Sequence, residues 1–142
     1  MDHKTLVSAA VRWLKREKRC PIVVAELTTY ASEQPDAIGY RCGISILVEC
    51  KASRADFLRD QKKLHRCRGS MGDHRYYLSS PGVIQPDDLP EGWGLLHFDG
   101  KTVTDATPAP GRQRNGNVNF AGERLLLLSI LRRQIAGKSV IV

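Results

Sequence analysis

A chain of 142 residues lies within the usual size of one domain and is long enough to bury a core without disulfides. With 42% apolar residues it is not a disordered chain, and no apolar run reaches the length of a membrane span. The balance of 22 Lys and Arg against 15 Asp and Glu gives a net charge of +7, which favours a polyanionic partner through steering and counterion release.

The start, Met1-Asp2-His3-Lys4, leads into an amphipathic segment broken by Arg12 and Lys15, which is unlike a secretory signal, and a cytoplasmic protein is expected. Cys20, Cys42, Cys50 and Cys67 form no Cys-x-x-Cys pair and have no histidine at zinc-finger spacing, so they read as free thiols in a reducing compartment.

Residues 4–19 predict a first helix, since Leu6, Val7, Ala10, Val11 and Leu14 recur at helical spacing and basic residues gather before Pro21. Residues 22–28 predict a strand. Residues 37–41 and 44–51 predict two strands turned at Cys42-Gly43. In the second of these, Ile44, Ile46, Val48 and Cys50 point one way, and Ser45, Leu47, Glu49 and Lys51 the other. Apolar residues on both faces imply a central strand covered on both sides.

Ser53 is a good N-cap, and Asp56 resembles the reciprocal member of a capping box, so a helix is expected from about 54 to 67. Residues 74–79 and Leu95 to Phe98 predict further strands, with a Pro/Gly/Asp-rich connection over 81–94. Lys101 to Thr104 is a candidate edge strand, 106–119 reads as a mobile loop, and 120–136 predicts a strongly apolar last helix. There is no internal repeat and no dividing linker; residues 1–142 form one expected α/β domain.

The chemistry concentrates at Pro35-Asp36 and Glu49-Cys50-Lys51. Period-two geometry puts Glu49 and Lys51 on one face at the end of a hydrophobic strand. If the hairpin closes around Cys42-Gly43, Asp36 lies near Glu49. Two carboxylates converging there repel each other unless a cation lies between them, and oxygen ligands suit Mg²⁺ or Mn²⁺. A lysine two residues on can orient or deprotonate an attacking water and offset charge on a phosphate. An acid-x-Lys pair is by itself weakly specific and is often a surface ion pair. The run Ile44–Val48 argues instead for a pair at the mouth of a buried strand.

The order Pro35-Asp36, Glu49, Lys51 resembles the signature of the PD-(D/E)XK nuclease superfamily. A longer stretch resembles the MmcB-like DNA repair family within it: Val48-Glu49-Cys50-Lys51-Ala52-Ser53-Arg54-Ala55-Asp56-Phe57-Leu58, with Asp60 and Lys62 following, then Asp73-His74-Arg75-Tyr76-Tyr77 and Leu89-Pro90-Glu91-Gly92-Trp93-Gly94-Leu95. The resemblance covers about residues 22–135. It implies a restriction-endonuclease-like core, a mixed sheet flanked by helices, and a metal-dependent deoxyribonuclease. Asp36 and Glu49 would be metal ligands with the backbone carbonyl of Cys50, Lys51 the catalytic lysine, and Glu26 a further acid early in the chain. Glu26 reads as a strand residue here, whereas relatives often carry that acid on a helix.

Arg59, Lys62, Lys63 and Arg66 fall at i, i+3, i+4 and i+7, one stripe of the expected second helix and a candidate phosphate track beside the acidic site. Arg54 in the motif, and Arg112 and Arg114 on the expected loop, are further phosphate candidates; Gln61 and Lys62 are candidates to face the site. Trp13 and Trp93 read as packing residues, His65 and His74 as surface or turn residues, and one of Tyr76 and Tyr77 as a core residue. No Gly-rich phosphate loop is present, which argues against a nucleotide-driven motor. Two rival readings are a DNA-binding module of the same fold without turnover, and a phage or mobile-element protein acting on a repair or defence complex. A homodimer is compatible with the apolar last helix.

Overall fold

The structure is a computed structural model that describes residues 1–63, 66, 69–110 and 118–142. The first element is helix α1 (His3–Arg16), whose Leu6, Val7, Ala9, Ala10, Trp13 and Leu14 are buried at helical spacing. Asp2 caps it by accepting from the Thr5 N–H at 2.8 Å. The helix stops short of the expected residue 19: Arg19 takes a left-handed φ of 54°, and the Cys20 N–H turns back to the Leu14 carbonyl at 2.9 Å.

Strands β1 (Ile22–Ala25), β2 (Ala37–Arg41) and β3 (Ile44–Cys50) form an antiparallel meander. The turn between β2 and β3 is Cys42-Gly43, with φ of 51° and 75°, as the sharp twist of a two-residue hairpin requires. Helix α2 (Arg54–Asp60) then leads to β4 (His74–Ser79), and a single 3₁₀ turn (Pro86–Asp88) precedes β5 (Trp93–Phe98). Strand β6 (Val103–Thr107) and helix α3 (Phe120–Ile135) complete the described elements. The sheet runs in order β1-β2-β3-β4-β5-β6, with β3, β4 and β5 parallel and the outer pairs antiparallel. The protein is therefore a single α/β domain built on a six-stranded mixed sheet, with three α-helices among the described residues.

The two sheet faces carry two cores. Ile46, Val48, Cys50, Tyr76 and Leu78 pack with α1, while Leu47, Tyr77 and Leu95 pack with Phe57 of α2 and Leu126 and Ile130 of α3. Both faces of β3 are buried, as expected of a covered central strand. Tyr76 and Tyr77 are both buried, one in each core, so the single core tyrosine expected from alternation becomes two. Gly39 lets the segment after α1 pack on β2, because a Cβ there would lie 2.7 Å from Cys20 Sγ. Cys20 and Cys50 are buried free thiols and Cys42 an exposed one; Cys67 lies outside the described residues.

Several element limits differ from expectation. Strand β1 ends at Ala25 rather than at residue 28, since the Glu26 N–H bonds to the Pro35 and Asp36 carbonyls instead of continuing the strand. Helix α2 ends at Asp60 rather than near 67. Ser53 does cap it through the Asp56 N–H at 3.2 Å, but the Asp56 carboxylate pairs with Arg59 instead of closing a capping box. Strand β5 begins at Trp93 through pairing with Arg75, and β6 lies two residues beyond its expected start, after a register shift opposite Leu95 and Leu96. The segment expected as a loop over 106–119 thus begins inside β6; its residues 111–117 lie outside the described residues.

Helix α3 is pinned by a buried polar contact as well as by packing. Glu123 Oε2 accepts from the Gly72 N–H at 2.9 Å and from Ser45 Oγ at 3.0 Å. Burial raises the Glu123 carboxyl above its ordinary value, with these hydrogen bonds opposing. Leu126 is 1% exposed and Leu128 56%. Leu126→Ala is expected to cost about 2–5 kcal/mol in chemical denaturation, and Leu128→Ala to stay within about 0.5 kcal/mol of the parent.

Candidate active site

The register of β2 and β3 pairs Ala37 with Val48, which brings Asp36, the residue before β2, beside the Glu49–Cys50 end of β3. Asp36 Oδ2 accepts from the Cys50 N–H at 2.8 Å, so the carboxylate is held at the strand end. Glu26 reaches the same point from β1. It adopts a left-handed φ of 51°, and its N–H lies 3.1 Å from the Pro35 carbonyl and 3.2 Å from that of Asp36. A non-glycine residue held there by two carbonyls is the kind of backbone strain that accumulates at functional sites.

His3, in the first turn of α1, completes this cluster. Its Nε2 lies 3.0 Å from Glu26 Oε1 and 3.4 Å from Asp36 Oδ1. Ligand atoms of His3, Glu26 and Asp36 all fall within 4.8 Å of one another, the grouping of metal-ligand type found among the described residues. It contains no cysteine.

Glu49 faces the other way, into a buried network. Its Oε1 lies 3.2 Å from Arg66 Nη2, and its side chain is 4% exposed. Burial pushes the Glu49 carboxyl well above its ordinary value, and Asp36 adds to this; Arg66 and Lys51 oppose it. Arg66 also reaches Asp60 Oδ2 at 2.8 Å and Glu33 Oε2 at 3.1 Å. Its guanidinium lies over the Trp93 ring, 4.9 Å from the centroid. Burial alone would lower the Arg66 pKa, but Glu49 and Asp60 outweigh it and leave it raised.

Lys51 is buried and its Nζ lies 3.1 Å from Asp60 Oδ1. Asp60 is fully buried and also accepts from Tyr77 Oη at 2.6 Å, while Gln61 Nε2 donates to the same tyrosine at 2.7 Å. Burial works to raise the Asp60 carboxyl, yet hydrogen bonding and charge from Arg66, then Tyr77 and Lys51, hold it well below its ordinary value. Tyr77 stacks on Trp93 with ring centroids 4.3 Å apart, and Phe57 meets its edge. Trp93 is thus a packing residue, as expected, with a cation on its face as well.

The structure therefore gathers Asp36, Glu26, Glu49, Cys50 and Lys51 at one end of β3, but divides them. Asp36 and Glu26 look outward to His3, whereas Glu49 and Lys51 look inward to Arg66 and Asp60. Glu26 stands in the connection after β1, not on the strand where the sequence placed it. His3, Glu33, Asp60 and Tyr77 were not read as site residues. A histidine 23 positions before Glu26 carries no local signal, and Glu33 sits in a polar stretch without periodicity.

The expected basic stripe does not form. Helix α2 stops at Asp60, and Arg66, which would have ended the stripe, is buried among three carboxylates and is no surface phosphate ligand. Lys63 is half exposed and lies 3.3 Å from Asp60, Arg59 pairs with Asp56, and Lys62 is exposed. Arg54 is half exposed and makes two 2.8 Å contacts to Asp88. Gln61, expected near the site, does meet Tyr77, while Lys62 stays exposed. Arg112, Arg114 and His65 lie outside the described residues.

No family model matches the chain, and no curated protein matches it. Among solved structures, the fold is similar to that of the SPO1766 protein of unknown function from Silicibacter pomeroyi. The TM-score is 0.68 at 22% identity, over 96% of this chain and 90% of that one. At that identity the likeness establishes the fold. No helix among the described residues is long and apolar enough to cross a membrane.

Removing Arg66 would strand Glu33, Glu49 and Asp60 in the interior. Arg66→Ala is expected to cost about 3–5 kcal/mol in urea denaturation, whereas Lys62→Ala should change stability by less than about 0.5 kcal/mol. Equal effects would mean that Arg66 is a surface residue in solution.

Proposed function

We propose that the chain is a divalent-metal-dependent DNA nuclease of the PD-(D/E)XK type, hydrolysing phosphodiester bonds. The observation that carries this reading is the placing of Asp36 beside the Glu49–Cys50 end of a buried strand, with Lys51 next along the chain. The MmcB-like motif over residues 48–58 supports it, as does the mixed sheet with helices on both faces.

The donor set fits a hard divalent cation. Asp36, Glu26 and His3 present ligand atoms within reach of one another. Cys50 is tied to Asp36 through its N–H, while Glu49 turns to Arg66, and burial first, then Asp36, raises the Glu49 pKa. Mg²⁺ or Mn²⁺, when bound, would supply an activated water and neutralise phosphate oxygens.

The remaining work falls to the chain itself. The Cys50 N–H keeps one oxygen of Asp36 engaged, leaving the other on the His3 and Glu26 side. Lys51 offsets charge that builds on the phosphate, and Asp60 is its positioning residue, holding the ammonium at 3.1 Å. Tyr77 and Arg66 in turn hold Asp60, and Gln61 donates to Tyr77. Arg59 on α2 and Lys62 and Lys63 just after it are exposed cations that suit the DNA backbone.

A second reading is a DNA-binding module of this fold without turnover. It is favoured by one observation: Arg66 already neutralises Glu49 from within, a position that a catalytic cation would share.

Cleavage of labelled single-stranded, duplex and branched DNA with Mg²⁺, Mn²⁺ or EDTA tests the first reading. Metal-dependent cutting is expected, reduced by at least about 100-fold in Lys51→Ala and in Asp36→Asn. Salt-sensitive DNA binding without cutting, unchanged in Glu49→Gln, would establish the binding module instead.

A further inference from the structure

Helix α3 buries one face and leaves the other uncovered, and the uncovered face is apolar. Glu123, Leu126, Ser129 and Ile130 turn inward. Opposite them, Leu128, Leu131 and Ile135 are 56%, 59% and 87% exposed, with Leu125 beside them at 40%. Single exposed leucines are ordinary, but a contiguous row on one helix marks a surface that is covered by something. Ala121, Arg124, Leu128, Leu131 and Ile135 recur at alternating spacings of three and four, the seam along which one α-helix packs against another.

The charge around the row selects the occupant. The only carboxylate of α3 is Glu123, and it is buried. Arg124 stands in this row one turn before Leu128, and Arg132 lies beside it one turn after Leu128; both are exposed, and neither joins an ion pair among the described residues. Arg132 lies 5.9 Å from the ring of Tyr30, which is 83% exposed and extends the patch beyond the helix. A second copy would set arginine against arginine across an antiparallel seam and bring together two chains of net charge +7. DNA offers nothing to cover leucines.

We propose that the outer face of α3 docks an amphipathic helix of a partner protein, one with an apolar stripe flanked by acidic residues. Sixteen residues of α3 give a seam about 24 Å long, matching a partner helix of about four turns. Leu128, Leu131 and Ile135 enter the partner's apolar stripe; Arg124 and Arg132 meet its carboxylates; Tyr30 covers one side. This surface is separate from the residues proposed for catalysis, so docking and DNA cleavage can be tested apart.

The experiment uses the full chain and a fluorescein-labelled synthetic peptide of three heptads, with Leu at the seam positions and Glu on both flanks. Its counterpart with Lys on the flanks is the control. Fluorescence anisotropy is expected to show binding of the acidic peptide, with the Lys peptide at least about tenfold weaker. Leu131→Glu should weaken the acidic peptide by at least about tenfold. Arg124→Glu with Arg132→Glu should invert the preference between peptides. Because Leu131 is already exposed, its variant should keep the parent's melting temperature, which separates lost docking from lost folding. The proposal is overturned by absent or flank-independent peptide binding. Self-association of the parent in sedimentation, abolished by Leu131→Glu, would overturn it in favour of a second copy. Flotation with phosphatidylcholine–phosphatidylglycerol vesicles, lost in the same variant, would overturn it in favour of a lipid surface.

Discussion

The guanidinium of Arg66 is the contact on which this end of the molecule depends. It links Glu33 from the connection between β1 and β2, Glu49 on β3 and Asp60 at the end of α2, all buried. Each carboxylate would carry a large desolvation penalty alone, and so would the cation. Together they satisfy one another, and Glu33 also holds the Met71 N–H at 2.8 Å. Three segments far apart in sequence are thereby joined around one planar group, whose fork suits several carboxylates at once. Helix α2 ends at Asp60, and Arg66, six residues on, reaches all three acids.

That contact also sets the character of the candidate active site. It takes Glu49 and, through Asp60, Lys51 inward, and leaves Asp36 with Glu26 and His3 at the surface. In the buried half Tyr77 stacks on Trp93, meets Phe57 edge to face and donates to Asp60. The outer half rests on main-chain contacts, the Cys50 N–H to Asp36 and the Glu26 N–H to the Pro35 and Asp36 carbonyls.

Helix α3 follows a different logic. Its inner face is secured by Leu126, Ile130 and the Glu123 contacts to Gly72 and Ser45, so the helix remains docked without help from its outer leucines. Those leucines add solubility cost and no packing. Leu128, Leu131 and Ile135 belong to neither core, and a docking face is the reading proposed for them.

The sequence by itself determined the strands, most helix positions and the hairpin, because these follow from period-two and period-3.6 patterns and from Cys42-Gly43. It also determined that Asp36, Glu49 and Lys51 share one strand end, since alternation and hairpin closure are local rules. Tertiary structure alone decided which way those residues face. The stripe from Arg59 to Arg66 had helical spacing, yet the pull of Glu33, Glu49 and Asp60 on one guanidinium overrode it. Likewise, nothing near His3 signals that it meets Glu26 and Asp36, because the packing of α1 on the sheet makes that contact. Spacing along a chain specifies neighbours within an element; which buried charge satisfies which is settled only when distant segments are desolvated together.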